Sequence, residues 1–591
     1  MDLPVTSPVS SYTLQTNNLS FTLTPRRASP ATKLVIDNVS LEARPGEITA
    51  IAGPSGAGKT TLLQILSGEI PSGKISGEIL VNGNPAEPAR FGRASGYVTQ
   101  DDALFPLLTV EETLTYSALL RLPPEQRGAR RRAKLLMKDL GLDHISGSRV
   151  GSISGGERRR LSIGVELIHD PAALLIDEPT SGLDSASALH IVSLLRSMAV
   201  TKHKTVVLTI HQPGFRILEL INRLLLLSGG RALHNGSLES LEERLVSSGH
   251  RIPPHINVLE FAIEVASSSN IDPRIDVAAG HDLDSRDCSN CRKIDSVNAK
   301  TATSSYANSH FEEVAILGER FARNIFRTKE LFTARALQAL AVGSILGTVY
   351  MDVHNGGDRK KSEAVMQTRL GFFAFTLSFL LSSTTEGLPI FLQERRIFAR
   401  EVARGAYRVS SYALANALVL LPFLGAVALL YSAPAYWLVG LRRDPGGFLY
   451  FALVAWAVVM MSSSLTACCA ALVPDFIMGA SLIAGIMGAF FLFSGYFIAE
   501  ERIPEYWVFM HYLSMFKYPF ECLVINEYGG RECVERVVGE CVISGDEYLR
   551  KQGLKESHKW SNLGVMFGFV VGYRLLCFFI LWCRSLKTRR L

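Results

Sequence analysis

Apolar residues follow different patterns in the two halves of this 591-residue chain. Up to about residue 310, short apolar runs alternate with polar and glycine-rich stretches, as is typical of a soluble α/β protein. From Phe332 onward, apolar runs of about 20 residues recur, the length that a helix needs to cross the hydrocarbon layer of a membrane. The pattern therefore predicts a soluble α/β first half and an all-α membrane domain in the second half.

The apolar runs of the second half predict six membrane spans, an even number that returns the C-terminus to the side on which the spans begin. Basic residues between spans two and three and in the C-terminal tail follow the positive-inside rule, whereas Arg442 and Arg443 fall in a loop predicted to lie outside. The predicted spans are Phe332 to Met351, Leu370 to Leu392, Tyr412 to Val439, Phe448 to Val473, Phe476 to Ile498 and Leu563 to Cys583.

The segment between the two halves is polar and rich in Ser, Asp and Asn, with too little apolar surface to offset its ordering entropy. It is therefore predicted to be a disordered linker. The next segment has apolar residues at helical spacing and predicts an amphipathic helix along the inner membrane surface. The predicted divisions are a tail 1–32, a soluble α/β domain 33–265, the linker 266–310, the connecting helix 311–330 and the membrane domain 331–591 with its outer loop 499–562.

The formal net charge of +6 comes from residues of both signs. Arginine clusters at residues 130–132 and 158–160 are interpreted as solvated helix faces rather than as nucleic-acid-binding patches, so no nucleic-acid partner is expected. The polar N-terminus predicts no signal peptide, which would keep the first half in the cytosol.

A glycine-rich segment between a predicted strand and a predicted helix fits the phosphate-loop pattern GxxxxGK[ST]. Its main-chain N–H groups and the helix N-terminus can cradle phosphates, and Lys59 is expected to meet the β and γ phosphates. Thr60 is expected to bind magnesium, so a nucleotide and Mg²⁺ are the predicted cofactors. The candidate binding residues are Gly53, Pro54, Ser55, Gly56, Ala57, Gly58, Lys59, Thr60 and Thr61.

An apolar run, Ala173-Leu-Leu-Ile, ends in two carboxylates. One acid can hold magnesium and the next can polarise the attacking water. We therefore predict that Asp177 is a metal ligand and that Glu178 is the catalytic base.

Between these two motifs, the segment Ile153-Ser-Gly-Gly-Glu157 resembles the signature sequence of ABC ATPases. The resemblance continues in order through Gln100, the segment Ser181-Gly-Leu-Asp184 and His211. It implies that Gln100 is a catalytic residue and a further magnesium ligand, and that His211 senses the γ-phosphate. It also implies that one chain's signature covers the ATP of a second chain, so dimerisation is expected. The residues that the resemblance implies as nucleotide contacts are Ser154, Gly155, Gly156 and Glu157 of the signature and Asp184 of the segment Ser181-Gly-Leu-Asp184.

An ATPase domain followed by six spans, with RVSSY at residues 408–412 and FSGYF at residues 493–497, resembles the G subfamily of ABC half-transporters, most closely its plant members. This resemblance implies ATP-driven export of amphipathic or lipid-like molecules, with the plasma membrane as the expected location. Three alternatives remain open: a homodimer, an obligate heterodimer with another G-subfamily half-transporter, and an ATP-gated regulatory membrane protein.

The same resemblance implies a substrate path in the membrane domain. Tyr496 and Phe497 would meet their dimer mates on the two-fold axis and form a plug; the alternative is that they only anchor span five at the outer interface. Phe379, Ser382 and Phe491 fall near the cavity-lining positions of the family.

Cysteines and aromatics supply the last candidate residues. Cys533 and Cys541 lie in the long outer loop, where an oxidising compartment permits a disulfide, and they are predicted to bond within the chain. Cys522 is left either to pair across the dimer or to stay reduced. Tyr12 and Phe21 are the local aromatic candidates for stacking on adenine; otherwise the base has no aromatic platform.

Overall fold

The computed structural model describes residues 11–23, 33–69, 73–86, 91–92, 94–126, 128–253, 255–268, 306–351, 359–498, 502–531, 535–537 and 540–589. These residues belong to two units. The first contains the described residues from 11 to 309 with the short segments 403–407 and 587–589, and the second contains the described residues of 310–402 and 408–586. Most of the predicted linker 266–310 lies outside the described residues.

A mainly parallel sheet forms the centre of the first unit. Its strands are β3 Ile48–Ala52, β6 Gly96–Val98, β7 Ala173–Ile176, β8 Thr205–Thr209, β9 Arg223–Ser228 and β10 Arg231–Gly236. Their order is β10-β9-β3-β8-β7-β6, with β10 antiparallel to β9. Every residue of β3, β7 and β8 is buried, because both faces of a parallel sheet are covered.

An antiparallel sheet accompanies it, with strands β1 Leu14–Leu23, β2 Lys33–Ala43, β4 Gly73–Val81 and β5 Asn84–Pro85 in the order β2-β1-β4-β5. The predicted tail 1–32 therefore needs correction, because β1 lies within it. Leu14, Leu19 and Phe21 are fully buried, so β1 contributes to the core of the unit.

Helices and short 3-10 turns complete the first unit. The helices Val110–Arg121 and Gly155–Leu167 each begin with a capping box, the first at Thr109 and the second at Ser154. In a capping box, two N–H groups at the helix start that would otherwise be unpaired donate to side-chain partners. The helices are α1 Lys59–Leu66, α2 Val110–Arg121, α3 Ala129–Asp139, α4 Gly155–Leu167, α5 Ser185–Lys202, α6 Phe215–Leu218, α7 Leu238–Ser247 and α8 Val258–Ser268, with 3-10 turns at Pro124–Gln126, Asp143–Ile145 and Val150–Ser152.

The second unit is helical. Its longer helices are α9 His310–Arg327, α10 Lys329–Val349, α11 Arg359–Ser382, α12 Leu388–Ala403, α13 Val409–Val439, α14 Pro445–Leu472, α15 Phe476–Leu492 and α19 His558–Arg589. Within the described residues, four helical stretches are long and apolar enough to cross a membrane: Met366–Ala403, Val409–Val439, Pro445–Leu472 and His558–Leu586. The apolar helices Thr333–Val349 and Phe476–Leu492 are shorter.

Two predicted details of the second unit differ from the structure. The predicted second span, Leu370 to Leu392, is interrupted by a 3-10 turn at Ser383–Gly387, and α12 follows it, so much of the basic segment between predicted spans two and three is helical. The region predicted as the outer loop 499–562 contains a 3-10 turn Glu505–Trp507, helices α16 Val508–Leu513, α17 Lys517–Tyr528 and α18 Gly545–Lys551, and a hairpin of β11 Glu535–Val537 and β12 Glu540–Ile543.

The connecting helix α9 packs on α12 and α13 through charged residues. Glu313 is fully buried and accepts hydrogen bonds from Arg408 Nη1 at 2.8 Å and Ser411 Oγ at 2.5 Å. Arg320 donates to both carboxylate oxygens of Glu401, at 2.7 and 2.9 Å. These buried ion pairs tie the three helices together, since removing one partner would leave a buried charge.

Candidate active site

The phosphate loop connects β3 to α1, as predicted. Gly53 has φ 148°, and a Cβ there would lie 2.1 Å from the Leu227 carbonyl oxygen, so no larger residue fits. Gly58 has φ 98° and leads directly into α1. The loop therefore places main-chain N–H groups at the N-terminus of a helix, a geometry suited to phosphate.

Lys59 is folded into this loop. Its Nζ donates to the carbonyl oxygens of Gly53 at 2.8 Å and Pro54 at 3.1 Å. Desolvation lowers the pKa of Lys59, while the charges of Glu178 and Asp177 oppose that shift. A bound phosphate could replace the two carbonyls as partner of the ammonium group, which fits the predicted role.

Two threonine hydroxyl groups lie next to the Asp177 carboxylate. Its Oδ1 accepts hydrogen bonds from Thr209 Oγ1 at 2.6 Å and from Thr60 Oγ1 at 3.3 Å. Carboxylate and hydroxyl oxygens of this kind are the protein ligands that magnesium prefers. The residues thus fit a magnesium ion held by Thr60 and Asp177, and Thr209 is a second partner of Asp177 that the sequence reasoning missed.

Gln100 and Glu178 are brought together. Gln100 Nε2 donates to Glu178 Oε2 at 2.9 Å, which leaves the Gln100 amide oxygen as its possible metal ligand. Glu178 has a left-handed backbone, with φ 46°, and its N–H donates to Thr209 Oγ1 at 2.8 Å. The carboxylate that is predicted to act on water is therefore fixed from both its side chain and its main chain.

Arg159 is a functional candidate that the sequence reasoning placed wrongly on a solvated helix face. It is only 4% exposed. Its guanidinium donates to the carbonyl oxygens of Thr99 at 2.6 Å, of Gln100 at 3.3 Å and of Glu178 at 3.3 Å, and also to the Asp177 carbonyl. A further bond joins it to Asp102 Oδ1 at 2.9 Å. The Arg159 side chain thus holds the main chain at Gln100 and the main chain at Glu178 in place together.

The signature segment begins α4. Ser154 Oγ accepts from the N–H of Glu157 at 3.3 Å, and Glu157 Oε2 accepts from the N–H of Ser154 at 2.8 Å. Ser154 and Gly155 are exposed while Gly156 is buried. Asp184 caps α5 in the same manner by accepting from the Ser187 N–H at 3.1 Å, and hydrogen bonding to Ser187 lowers its pKa. Both segments present a polar edge that a second molecule could approach.

His211 stands two residues beyond the end of β8 and is exposed. The next residue, Gln212, has φ 45°, which marks a strained turn. Asn257 supports this turn: its Nδ2 donates to the Pro213 carbonyl at 3.0 Å, and its Oδ1 accepts from the Glu260 N–H in α8 at 2.6 Å. The buried Asn257 thus joins the histidine turn to α8, a link that the sequence gave no sign of.

Phe21 cannot stack on adenine in this structure. It is fully buried in the core between the antiparallel sheet and α1. Tyr12 packs against the same core and lies 6.4 Å, between ring centroids, from Phe91. Phe21 is therefore excluded as the adenine platform, because the alternating pattern of β1 turns it inward.

The candidate path residues of the membrane unit fall into two groups. One aromatic cluster contains Phe491, Tyr496 and Phe497. The ring centroid of Phe497 lies 4.9 Å from that of Phe491 and 4.8 Å from that of Tyr496. Phe379 instead stacks on Tyr431 at 5.5 Å, and the Ser382 hydroxyl donates to the Phe379 carbonyl at 3.0 Å. The residues of each group are close together.

The cysteine predictions have different outcomes. Cys533 lies outside the described residues, so the predicted bond with Cys541 remains a prediction. Cys522 is fully buried in α17, and its thiol approaches the Lys559 carbonyl at 3.8 Å. A buried thiol cannot reach a second chain without unpacking α17, so the structure favours the reduced state for Cys522.

Comparisons with known proteins agree with these features. Family models described as ABC transporter, ABC-2 type transporter and CDR ABC transporter match residues 36–181, 312–528 and 530–589. The ABC transporter G family member 5 of Arabidopsis thaliana is 47% identical, over 94% of this chain and 90% of the relative. G family members 8 and 4 of the same plant are each 42% identical, over 100% and 98% of this chain and all of each relative. The chain therefore belongs to the G family of ABC transporters, membrane proteins in which ATP hydrolysis drives transport.

Proposed function

We propose that two copies of this chain pair into an exporter of amphipathic or lipid-like small molecules, with ATP and Mg²⁺ bound at two shared sites. The observation that carries the proposal is the hydrogen-bonded set of Gln100 with Glu178 and of Thr60 and Thr209 with Asp177. One chain thus supplies a phosphate loop, two carboxylates and an exposed signature segment, which are the parts that a shared site would need.

Hydrolysis would proceed through residues of both copies. The magnesium ion, when bound, supplies charge stabilisation for the phosphates. Lys59 exchanges its loop carbonyls for phosphate oxygens, and Glu178 accepts a proton from the attacking water. Ser154 and Gly155 of the other copy would cover the nucleotide, and His211 would face the γ-phosphate. Closure of this site is the step that ATP favours.

In the membrane, we propose six crossings with the ATPase domain in the cytosol and the plasma membrane as the location. The two shorter apolar helices, Thr333–Val349 and Phe476–Leu492, would be spans one and five. Each has 17 residues, about 25 Å of helix, which is close to the span needed in a thin or locally adapted bilayer. The ion-paired set of α9, α12 and α13 would move as one body and transmit closure of the ATPase sites.

The heterodimer remains the second candidate because one chain cannot close a site on its own. The test uses the full-length protein, expressed alone and purified into nanodiscs. Mass photometry that gives a dimer, together with ATPase activity stimulated by sterol, wax-precursor or terpenoid compounds, supports the homodimeric exporter. A monomer without ATPase activity, which becomes active only with another G-family half-transporter, would assign the chain to a heterodimer.

An ATP-gated regulatory protein makes a different prediction. It would allow flux with a non-hydrolysable ATP analogue, whereas an exporter requires turnover. Transport into inside-out vesicles should therefore stop with the analogue and in Glu178→Gln. Flux that continued under both conditions would contradict the exporter.

A further inference from the structure

A cavity in the membrane unit lies apart from the candidate substrate-path residues. It is a partly open pocket of about 510 Å³, a volume that includes open solvent, and is bordered by α12, α13, α14 and α19. Its walls are mainly small or apolar, including Phe391, Ala413, Ala467, Ala471 and Leu581. Among the described residues that line it, the charged ones are Arg395 of α12 and Arg574 of α19, and there is no carboxylate. We call it the arginine cavity.

Arg574 has neutral hydrogen-bond acceptors. Its Nε donates to Ser464 Oγ and its Nη1 donates to Asn416 Oδ1, both at 3.1 Å. The titratable groups that act on it are Cys577 and Tyr412, neither of which is a carboxylate. Its Nη2 makes no hydrogen bond to the described part of the chain, so this positive charge is solvated by two dipoles without a counter-ion.

Arg395 has a similar environment. Its Nη1 donates to the carbonyls of Ala470 and Val473, both at 2.5 Å, and its Nη2 donates to the Pro474 carbonyl at 3.2 Å, all at the C-terminal end of α14. The negative end of that helix dipole stabilises the guanidinium only in part. The charged groups that act on Arg395 are two more cations, Arg584 and Arg396. Neither arginine of the cavity therefore has a carboxylate among the groups that act on it.

A neighbouring cavity provides an internal comparison. It shares Phe391 and Asn416 with the arginine cavity, but its lining contains both Arg335 and Glu394. Glu394 interacts with Asn324 and Arg320 rather than with the two arginines of the arginine cavity. The missing counter-ion is thus a property of the arginine cavity and not of this whole region.

A guanidinium inside an apolar helical bundle is costly unless it is paired, and such residues usually mark a functional site. An anion in the cavity could accept charge-assisted hydrogen bonds from both arginines, which are stronger than the neutral bonds now present. The apolar lining requires that the rest of the ligand be apolar as well. These two demands describe an anionic amphiphile.

We propose that the arginine cavity binds the phosphate headgroup of an anionic membrane phospholipid, with the acyl chains lying along the apolar wall. The bilayer is the natural source, because anionic lipids concentrate in the cytoplasmic leaflet and basic residues beside membrane helices attract them. The bound lipid joins α12 and α19 through one headgroup. This proposal does not depend on which molecule the protein exports.

The test measures lipid retention by the full-length protein. The protein is reconstituted in nanodiscs of phosphatidylcholine with a minor fraction of phosphatidylglycerol, extracted, and analysed by native mass spectrometry. Wild type should retain phosphatidylglycerol over phosphatidylcholine. Arg574→Gln and Arg395→Gln should each weaken that retention by about 10- to 100-fold, the value of a hydrogen bond to a charged group. Arg396→Gln removes an exposed neighbouring charge outside the lining and should leave retention unchanged.

Several results would overturn the proposal. If wild type and Arg574→Gln retained phosphatidylglycerol equally, Arg574 would not contact the lipid. If wild type retained phosphatidylcholine as well as phosphatidylglycerol, the site would not select anionic lipids. Displacement of the lipid by inorganic phosphate alone would assign the site to a free anion. If Arg574→Gln fails to fold, Ala413→Leu fills the cavity and keeps both arginines. That variant should also lose the lipid, and normal retention by it would refute the site.

Discussion

At the scale of single residues, Glu178 combines a predicted catalytic role with a strained backbone. Its left-handed conformation is uncommon for a residue with a side chain, and such strain is often found at active sites. The bonds from Gln100 and to Thr209 compensate for the strain. The carboxylate is therefore held in a defined place before any substrate arrives, which favours proton transfer.

We expect Glu178→Gln to lower the rate of ATP hydrolysis by about 10² to 10⁴ because it removes the general base while preserving shape. ATP affinity should stay close to that of wild type, since the phosphate loop is untouched. Steady-state ATPase assays and nucleotide-binding titration on the purified protein would measure both. Hydrolysis at the wild-type rate would exclude Glu178 as the base.

Arg159 offers a second test at this scale. Arg159→Gln should lower kcat more than it changes KM for ATP, with a loss of about 10² in rate, because the ends of both catalytic segments lose their common support. Breaking this buried set should also cost about 3 to 5 kcal/mol in the free energy of unfolding.

The control for Arg159 is Arg158→Gln, a change at the adjacent half-buried arginine whose Nε has no hydrogen-bond partner in the described structure. It should leave kcat almost unchanged. Asp102→Asn is a milder variant that weakens the 2.9 Å contact with Arg159 and keeps the carbonyl bonds. If Arg159→Gln and Arg158→Gln had the same kcat, the positioning role would be wrong.

At the scale of elements, a buried cluster fixes α2 against α4. Arg121 of α2 donates to both carboxylate oxygens of Glu166, at 2.9 and 3.1 Å, and also to His169 Nδ1 at 3.2 Å. Burial lowers the pKa of His169 to about 3, and the charge of Arg121 adds to this effect. The histidine is therefore neutral in the folded protein across the physiological range.

The His169 pKa gives a prediction about pH. The unfolded chain binds a proton near pH 6.5, whereas the folded histidine does so only near pH 3, so acidification favours the unfolded state. Between these values, His169 should reduce the unfolding free energy by ~1.4 kcal/mol per pH unit. His169→Asn retains an acceptor for Arg121 and should flatten this dependence. Thermal unfolding midpoints of both proteins across that pH range would test it, and parallel curves would contradict the assignment.

The elements also show how far the sequence could be interpreted alone. The phosphate loop, the strand before Asp177 and the apolar runs of α13 and α14 were predictable, because each rests on a local pattern. Helix α17 was not, since Lys517, Glu521 and Glu527 interrupt its apolar residues. Glu527 is stabilised by Arg369 at 2.6 Å, a residue 158 positions away, and such pairs leave no local signal.

The candidate catalytic site could be assembled from the sequence to the same degree. Gln100, Asp177 and Glu178 came from motifs in the right order, whereas the contributions of Thr209 and Arg159 required the fold. Arg159 lies in a run of three arginines, and only the direction in which each side chain leaves α4 separates the buried one from its neighbours. The burial of Phe21 could not be predicted for a related reason. The side chains of β1 that face the core are decided by its pairing with β2 and β4.

At the scale of the whole molecule, transport requires that hydrolysis control which side of the membrane a substrate can reach. The aromatic cluster after α15 is the candidate barrier. Phe497 is 56% exposed and Tyr496 is 36% exposed in a single chain, so both rings have surface left for a partner. Tyr496 also contacts Phe520 of α17, at 5.8 Å between centroids. The two rings are therefore supported by their own chain and presented outward.

The candidate barrier leads to a last prediction, tested with the Tyr496→Ala, Phe497→Ala double variant in proteoliposomes. Aromatic pairs contribute about 0.5 to 1.5 kcal/mol each beyond their burial, so loss of two pairs should shift the open–closed equilibrium by about tenfold. We expect ATP-driven substrate accumulation to fall and basal ATPase activity to rise, with the thermal unfolding midpoint close to that of wild type. Tyr506→Ala removes an aromatic of the same outer segment that is 74% exposed and whose ring lies 6.3 Å from that of Trp507, and it should leave coupling intact. Normal accumulation in the double variant at normal expression would reduce Tyr496 and Phe497 to interfacial anchors, because a barrier cannot lose both its rings and still hold a gradient.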